Sequence, residues 1–310
     1  MQKLDGQLIT VLGGGGFLGR YVVQRLLARG ARVRVAQRTP RAATFLKPLG
    51  GLGQTQFVAC DVRDPASVAR AVQGSDTVIN LAGAFDDMQA VQADGAGHVA
   101  AAAKAAGAGA LVHVSAIGAD RESPSAYGRS KGDGEAAVRA AFADAAILRP
   151  SILFGREDHF INRFAGLIRM SPVVPVIAPN AKFQPAYVGD VADAVVAALG
   201  NEAAGKMFEI GGPQVLAMRD LLRWIADATG RSPLFIQIPD FVASTLASGF
   251  GWAPFAPITK DQWLMLQHDN VVAGGAAGLA ELGIASTSLA AVADGWLVQY
   301  RRHGRFAQTA

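Results

Sequence analysis

Residues 11–20 read VLGGGGFLGR, and no other stretch limits the fold of this chain so strongly. Glycine gives up more backbone freedom on folding than any other residue, so a run of it is kept where something must approach too closely for a side chain. The flanks say what that is. QLITVL before the run reads as a short β-strand. FLGRYVVQRLLARG after it places Phe17, Tyr21, Val22, Leu26 and Leu27 at helical spacing and stops at Gly30. Strand, glycine turn and helix together form the setting in which a pyrophosphate lies against bare backbone. Free N–H groups and the positive end of the helix dipole attract the anion there. Two registers fit, Gly13-Gly16-Gly19 as GxxGxxG and Gly14-Gly16-Gly19 as GxGxxG. Either predicts a dinucleotide site in which Gly13, Gly16, Phe17, Leu18 and Gly19 face the phosphates.

The first 150 residues continue this alternation. Strand-like runs QLITVL, ARVRVAQ, TQFVAC, DTVINLAG, ALVHVSA and AAILRPS are separated by helical patterns such as DPASVARAVQG and HVAAAAKAAG. Near-continuous apolar strands alternating with helices predict an α/β fold, a Rossmann-type doubly wound parallel sheet covered on both faces. Ligands of such sheets sit at the carboxyl ends of the strands. Arg38, Asp61, Ala82, Gly83, Ser115 and Ser151 stand at those ends, and Val62, Leu81, Pro150 and Ile152 beside them complete the expected cofactor contacts. After Gly155 the pattern becomes irregular. The expected division is a dinucleotide-binding domain over 1–155, to which segments near 185–212 return, and a smaller C-terminal lobe over 156–310 for substrate or partner.

Composition narrows the function classes. With 29 basic and 25 acidic residues the net charge is +4, too mild to imply nucleic acid. Cys60 is the single cysteine, so no intramolecular disulfide forms, and no CxxC or Cys/His cluster suggests a metal. MQKLDGQLITVL enters a strand without a signal-peptide core, which reads as a protein kept in the cytoplasm.

The second strand decides between cofactors. Folds that prefer NAD(H) carry a carboxylate near its end, bonded to the ribose 2′-hydroxyl. ARVRVAQRTPRA instead ends in Gln37 and Arg38, with Arg41 close by. A guanidinium there can fork onto a 2′-phosphate, so NADP(H) is preferred over NAD(H). Asp61 either caps the next helix or bonds the adenine amine.

The chemistry concentrates in VHVSAIGADRESPSAYGRSKGDGEAAVRAAF. Tyr127 and Lys131 are four apart on a helical stretch and share one face. A phenol of pKa near 10 is a poor acid–base group at neutral pH. A nearby ammonium is expected to lower it, with Ser115 at the preceding strand end orienting a substrate oxygen.

GGGGFLG, YGRSK, RPSILFG and YVGDVADA together resemble the short-chain dehydrogenases/reductases in their extended form, over most of the chain. FGREDHFINRFA and ITKDQWLMLQHDNVV are similar to the atypical branch that includes the NADPH-binding accessory subunit of respiratory complex I. The resemblance implies Tyr127 and Lys131 as both catalytic and cofactor-binding residues, with Ser115 as the third catalytic group. Active members end the strand with two hydroxyl residues where this chain has Ser115 and Ala116. They often complete a tetrad with asparagine where it has Gln92.

Two main readings follow. One is a cofactor-stabilised scaffold binding complex I subunits, peripheral on the inner face of the respiratory membrane. The other is an active NADP-dependent reductase or epimerase. A third is a redox sensor. Phe154, Asp158, His159 and Phe183 read equally as cleft or core residues. FVASTLASGFGWAPFAPIT, residues 241–259, carries no charge. It reads either as a buried segment or lid, or as an apolar element with Phe241, Leu246, Phe250, Trp252 and Phe255 at an anionic membrane surface, aided by the basic YRRHGRF.

Overall fold

The computed structural model describes residues 4–250, 258–302 and 304, and the chain divides into two compact units. The first comprises Met1–Pro150, Val188–Ile210 and Gly274–Ala285. Its strands are β1 (Leu8–Leu12), β2 (Arg32–Gln37), β3 (Thr55–Ala59), β4 (Thr77–Asn80), β5 (Ala110–Val114) and β6 (Ala146–Pro150), joined by Met207–Ile210. They form one seven-stranded sheet in the order Met207–Ile210, β6, β5, β4, β1, β2, β3. Every neighbouring pair is parallel. The chain starts in the middle, winds outward to β3, and crosses to β4 on the other side of β1. The crevice between β1 and β4 is therefore the topological switch point, where such sheets bind ligands.

The crossovers are α1 (Phe17–Ala28), α2 (Pro65–Val72), α3 (Gly95–Ala105) and α4 (Ala126–Ala141). A sheet covered on both faces needs strands apolar on both sides, and all four residues of β4 are buried. One core cluster gathers Leu12, Val68, Val72, Val78, Val99, Leu111, Val138 and Phe142. Ala96, Ala100 and Ala103 of α3 are buried in it, their small side chains letting the helix pack closely against its neighbours. Cys60 belongs to the same cluster, and burial pushes its thiol up, consistent with a core role. Arg25 on α1 pairs with Asp193 of the helix Val188–Ala197 at 3.1 Å, tying that returning segment to the first helix.

Three glycines in α4, costly for a helix, have a packing reason. A side chain on Gly128 would meet Ser123 and the Gly118 carbonyl. One on Gly132 would meet the Asp120–Arg121 backbone, and one on Gly134 would strike the carbonyl oxygen of Gln92. Gln92 lies in a π-helical stretch, Gln89–Asp94, that runs directly into α3. The glycines thus let α4 approach this stretch and the loop after β5.

The second unit comprises Ser151–Tyr187, Gly211–Ala273 and Ser286–Ala310. Its core holds Phe154, Ile161, Ile168, Phe183, Leu221, Ile225 and Trp296, so Phe154 and Phe183 are core residues. Met218–Ala228 is the amphipathic helix that its pattern predicts, burying Met218, Leu221, Leu222, Ile225 and Ala226 at helical spacing. Asp158 is buried and accepts from the N–H groups of Gly155 and Asn162, while His159 is exposed. The proline-rich SPVVPVIAP contains a strand, Val173–Val176, parallel to Leu234–Gln237. Within 241–259, the helix Asp240–Phe250 carries an exposed Phe241, and Trp252 and Phe255 lie outside the described residues. Among the described residues no helix is long and apolar enough to cross a membrane.

Gly134→Ala tests the α4 packing, because propensity and packing oppose each other there. Alanine gains up to ~1 kcal/mol as a helix former, whereas overpacking against a backbone carbonyl costs about 1–3 kcal/mol. The expected result in chemical denaturation is a net loss of stability. A gain would show that the helix does not need this close approach.

Candidate functional site

The glycine turn resolves into the Gly13-Gly16-Gly19 register. Gly13 has φ +76° and sits so close to the end of β4 that a Cβ would lie 3.1 Å from the Leu81 carbonyl oxygen. Gly16 caps α1 without any side-chain bond, leaving the first-turn N–H groups of Phe17, Leu18 and Gly19 without intrahelical acceptors. A Cβ on Gly19 would collide with the Gly13 and Gly14 backbone, so the helix can start directly against the turn. Leu18 sends its side chain into the core, and Phe17 packs edge-on against Tyr21 at 6.1 Å. The result is a cradle of bare backbone and free donors at the switch point, which fits a pyrophosphate.

Around it the strand ends carry the polar groups. After β2, the Gln37 amide accepts from the Gly15 N–H at 3.0 Å and donates to the Thr39 carbonyl at 2.7 Å, bracing the turn. Arg38 and Arg41 are both exposed. After β3, Asp61 does not cap α2. Asp64 does, accepting from the Ala66 N–H at 2.9 Å. Asp61 is instead clamped by Arg63, whose Nε and second guanidinium nitrogen donate to its two oxygens at 3.0 and 2.6 Å. Arg63 holds that carboxyl down at about 2. Its remaining nitrogen reaches Asp87 at 2.9 Å. Val62 packs on Gly95, and its carbonyl bonds His98 Nδ1 at 2.9 Å.

After β4, the Ala82 N–H donates to Asn80 Oδ1 at 3.1 Å, and the Asn80 amide bonds His113 Nδ1 at 3.1 Å. His113 is buried beside Lys131, and burial first and that ammonium second hold its imidazole down at about 3. Gly83 is exposed, and a Cβ placed on it would lie 3.9 Å from both Gln92 Oε1 and Lys131 Nζ. The sequence did not single out Asn80, His113, Arg63 or Phe85. Only their positions at strand ends and in the following loops could have drawn attention to them.

Tyr127 and Lys131 share one face of α4, as their spacing requires. Lys131 Nζ lies 5.9 Å from the Tyr127 ring centre and donates to the Val114 carbonyl at 3.3 Å, one residue before Ser115. Ser115 Oγ is buried and has no hydrogen-bond partner. Phe85, 68% exposed, stacks on Tyr127 with ring centres 5.2 Å apart and planes 18° off parallel. The expected lowering of the Tyr127 phenol is not found. Burial pushes it up to about 12, and the ammonium lies over the ring face. Burial also pushes Lys131 down to about 8, only partly opposed by Glu135. Glu135 is claimed instead by Arg149, which grips its two oxygens at 2.8 and 2.6 Å.

The last expected contacts are divided between units. Pro150 ends β6, and its carbonyl accepts from the Ile117 N–H at 3.0 Å. In the second unit, the Ser151 hydroxyl donates to Asn270 Oδ1 at 2.6 Å, and the Ile152 N–H donates to the same oxygen at 3.1 Å. Their polar groups are thus committed to Asn270. No group of three His, Cys, Asp or Glu able to hold a metal occurs among the described residues.

A family model described as the NAD dependent epimerase/dehydratase family matches residues 9–211. The chain is 38% identical over 297 residues to NADH dehydrogenase (ubiquinone) 1 alpha subcomplex subunit 9, mitochondrial, of Rattus norvegicus, covering 93% of this chain and 78% of that protein. It is 31% identical over 240 residues to a ceramide reductase of Caulobacter vibrioides, covering 75% of this chain and 74% of that one. Among solved structures, the NADPH-dependent quinone oxidoreductase QOR2 of Escherichia coli, complexed with NADPH, shares the fold. Its TM-score is 0.74 at 19% identity, over 91% of this chain and 97% of that one.

The buried Lys131 makes stability depend on pH in a definite direction. Its pKa of about 8 lies below the ordinary 10.5, so between these values the unfolded chain binds more protons and stability rises with pH. Above 10 the raised Tyr127 reverses the slope. Between pH 8 and 10 the unfolding free energy should gain on the order of 2 kcal/mol from Lys131. Lys131→Met should remove that gain in denaturation curves, and an unchanged pH slope would show that the ammonium is solvated.

Proposed function

Since the chain belongs to the NAD dependent epimerase/dehydratase family of extended short-chain dehydrogenases/reductases, we propose that it is an NADP(H)-binding, cofactor-stabilised accessory or assembly component of a respiratory complex I. The observation that carries this reading is a full phosphate cradle beside a phenol held at about 12. The binding half of the site is built, and the acid–base half is not poised for neutral pH. The 38% identity to a complex I subunit supports the partner.

The preference for NADP(H) rests on Arg38, exposed at the end of β2 with no carboxylate in the adjoining Gln37 position. Arg63 pairs with Asp61 at the next strand end, which reduces the negative charge that a 2′-phosphate on Arg38 would face. Isothermal titration should show tighter binding of NADPH than NADH, narrowed or reversed in Arg38→Asp. Equal affinities in the wild type would overturn the preference.

The second unit supplies a surface for association. Register pairs Leu234 with Val173 and Ile236 with Pro175, and all four are exposed on one face of the two-stranded sheet. Met170 is exposed at the start of the connection into that sheet. Beside them the Arg231 guanidinium is held by the carbonyls of Tyr300 and Arg169, so these bonds do not neutralise its charge. An apolar face flanked by guanidinium charge suits an anionic membrane surface. The protein then resides on the inner face of a respiratory membrane.

An active NADP-dependent reductase is the second reading, favoured by the unpaired Ser115 hydroxyl one residue from the carbonyl that holds Lys131. The ceramide reductase relative accords with it. Fractionation of native membranes separates the two. The scaffold reading expects salt-sensitive membrane association and co-purification of complex I subunits, weakened when Leu234 and Ile236 become serine. NADPH oxidation with a defined carbonyl substrate, abolished in Tyr127→Phe, would overturn it in favour of the enzyme.

A further inference from the structure

The two-stranded sheet of the second unit has two unequal edges. In a parallel pair, each strand turns the backbone groups of alternate residues toward its neighbour and the others outward. Leu234 donates to the Pro172 carbonyl at 2.8 Å and Ile238 to that of Val176 at 2.9 Å. The outward residues are therefore Phe235 and Gln237 on one strand, Val173 and Pro175 on the other. The edge at Val173–Val176 is closed. The Val173 N–H donates to the Ser171 hydroxyl at 3.2 Å, and that hydroxyl donates to the Val173 carbonyl at 2.6 Å. Pro175 has no N–H to offer a further strand. The edge at Leu234–Gln237 is open: LFIQ contains neither proline nor charge, and the outward N–H groups of Phe235 and Gln237 have no backbone acceptor among the described residues. Such an edge is a template for another strand.

The flanking residues identify that strand. Residues 231–241 read RSPLFIQIPDF, nearly a palindrome about Ile236. Laid antiparallel on a second copy with the two-fold axis at Ile236, the segment sets Phe235 opposite Gln237 on both sides of the axis. Each of those pairs exchanges two backbone hydrogen bonds. Ile236 then meets Ile236 and Leu234 meets Ile238, so apolar side chains oppose apolar ones. Pro233 faces Pro239 and ends the ladder at both sides. Beyond them the exposed Asp240 comes beside Arg231, whose guanidinium is held only by carbonyls and keeps its charge, and the exposed Phe241 lies opposite it. Parallel pairing in register would instead set Asp240 against Asp240 and Arg231 against Arg231. We infer that this chain forms a two-fold homodimer by antiparallel pairing of Leu234–Gln237 with the same strand of a second copy. Because the other edge is blocked, assembly closes at two copies. Pairing consumes the edge and leaves the apolar face of the sheet uncovered, doubled in width. The inference requires neither the cofactor nor the membrane.

Sedimentation equilibrium of the full-length protein in lipid-free buffer tests the inference. Four backbone bonds between short strands make a small interface, so the dimer should be weak, with a Kd on the order of 10–100 μM. Gln237→Pro removes one outward N–H from each copy and leaves the bonds to Val173–Val176 in place. It should raise Kd about tenfold or more, whereas Gln237→Ala keeps the N–H and should dimerise as the wild type does. Mild oxidation gives a second readout, because the single native cysteine is buried. Ile236→Cys should form a covalent dimer, since side chains opposed across such a pair come within disulfide reach. Val173→Cys, on the same face but one strand from the axis, should not. A wild type that stays monomeric throughout this concentration range would overturn the inference. So would growth beyond dimers, an unchanged Kd in Gln237→Pro, or equal cross-linking of the two cysteine variants. Thermal unfolding shows whether Gln237→Pro is folded, and if it is not, the cysteine pair decides. None of these outcomes bears on the membrane reading, which fractionation tests separately.

Discussion

The close approach of the β1–α1 turn to the end of β4 underlies everything else in the first unit. Gly13, in the left-handed region, lets the turn reverse within van der Waals distance of Leu81. Gly19 lets α1 begin without first clearing the turn. Any side chain at either position would separate the helix N-terminus from the strand ends and move its unpaired N–H groups away from the crevice. An anion held there would lose both the donors and the dipole. Gln37 braces the same turn from β2, so its geometry depends on three strands of the parallel sheet rather than on the loop alone.

On the other side of the switch point a second constraint dominates, the cost of burying polar groups. Lys131, Gln92, His113 and Ser115 are all buried between β5, α4 and the π-helical stretch before α3. The Lys131 ammonium donates one long bond to a carbonyl, and Glu135, which only partly supports its charge, is itself gripped by Arg149. Burial destabilises the ammonium, and it likewise makes the Tyr127 phenol beneath Phe85 resist ionising. Unmet polar atoms in a low dielectric are expensive to fold and favourable to fill. Such a cluster is suited to gripping a polar ligand, and much less to transferring a proton at neutral pH.

The second unit is organised around Asn270. Its side-chain oxygen receives the Ser151 hydroxyl and the Ile152 N–H, its backbone carbonyl receives the Gln184 N–H, and its own N–H donates to Lys182. Three segments distant in sequence are thereby joined through one residue. The hydroxyl that sequence assigns to the cofactor is committed to this junction.

The sequence alone determined the fold class. Its periodicities are local: glycine spacing, apolar strands and helical stripes report the conformation of each segment, and alternation of these segments admits few arrangements. Six sheet strands, the seventh in GKMFEIGG and the cradle residues were legible for that reason. The Tyr127–Lys131 face was legible too, because four residues on a helix make one turn. What neighbours a side chain, however, is not a local property. Nothing in YGRSK says that Arg149, in the strand that follows α4, pairs with Glu135, or that burial leaves the lysine low and the tyrosine high. Nothing near Asp61 says that Arg63 closes on it while Asp64 takes the helix cap. Nothing in RPSILFG reveals Asn270 more than a hundred residues away. Those outcomes were decided by tertiary structure, because burial and pairing, which set the charge and availability of each group, depend on which distant segments the fold brings together.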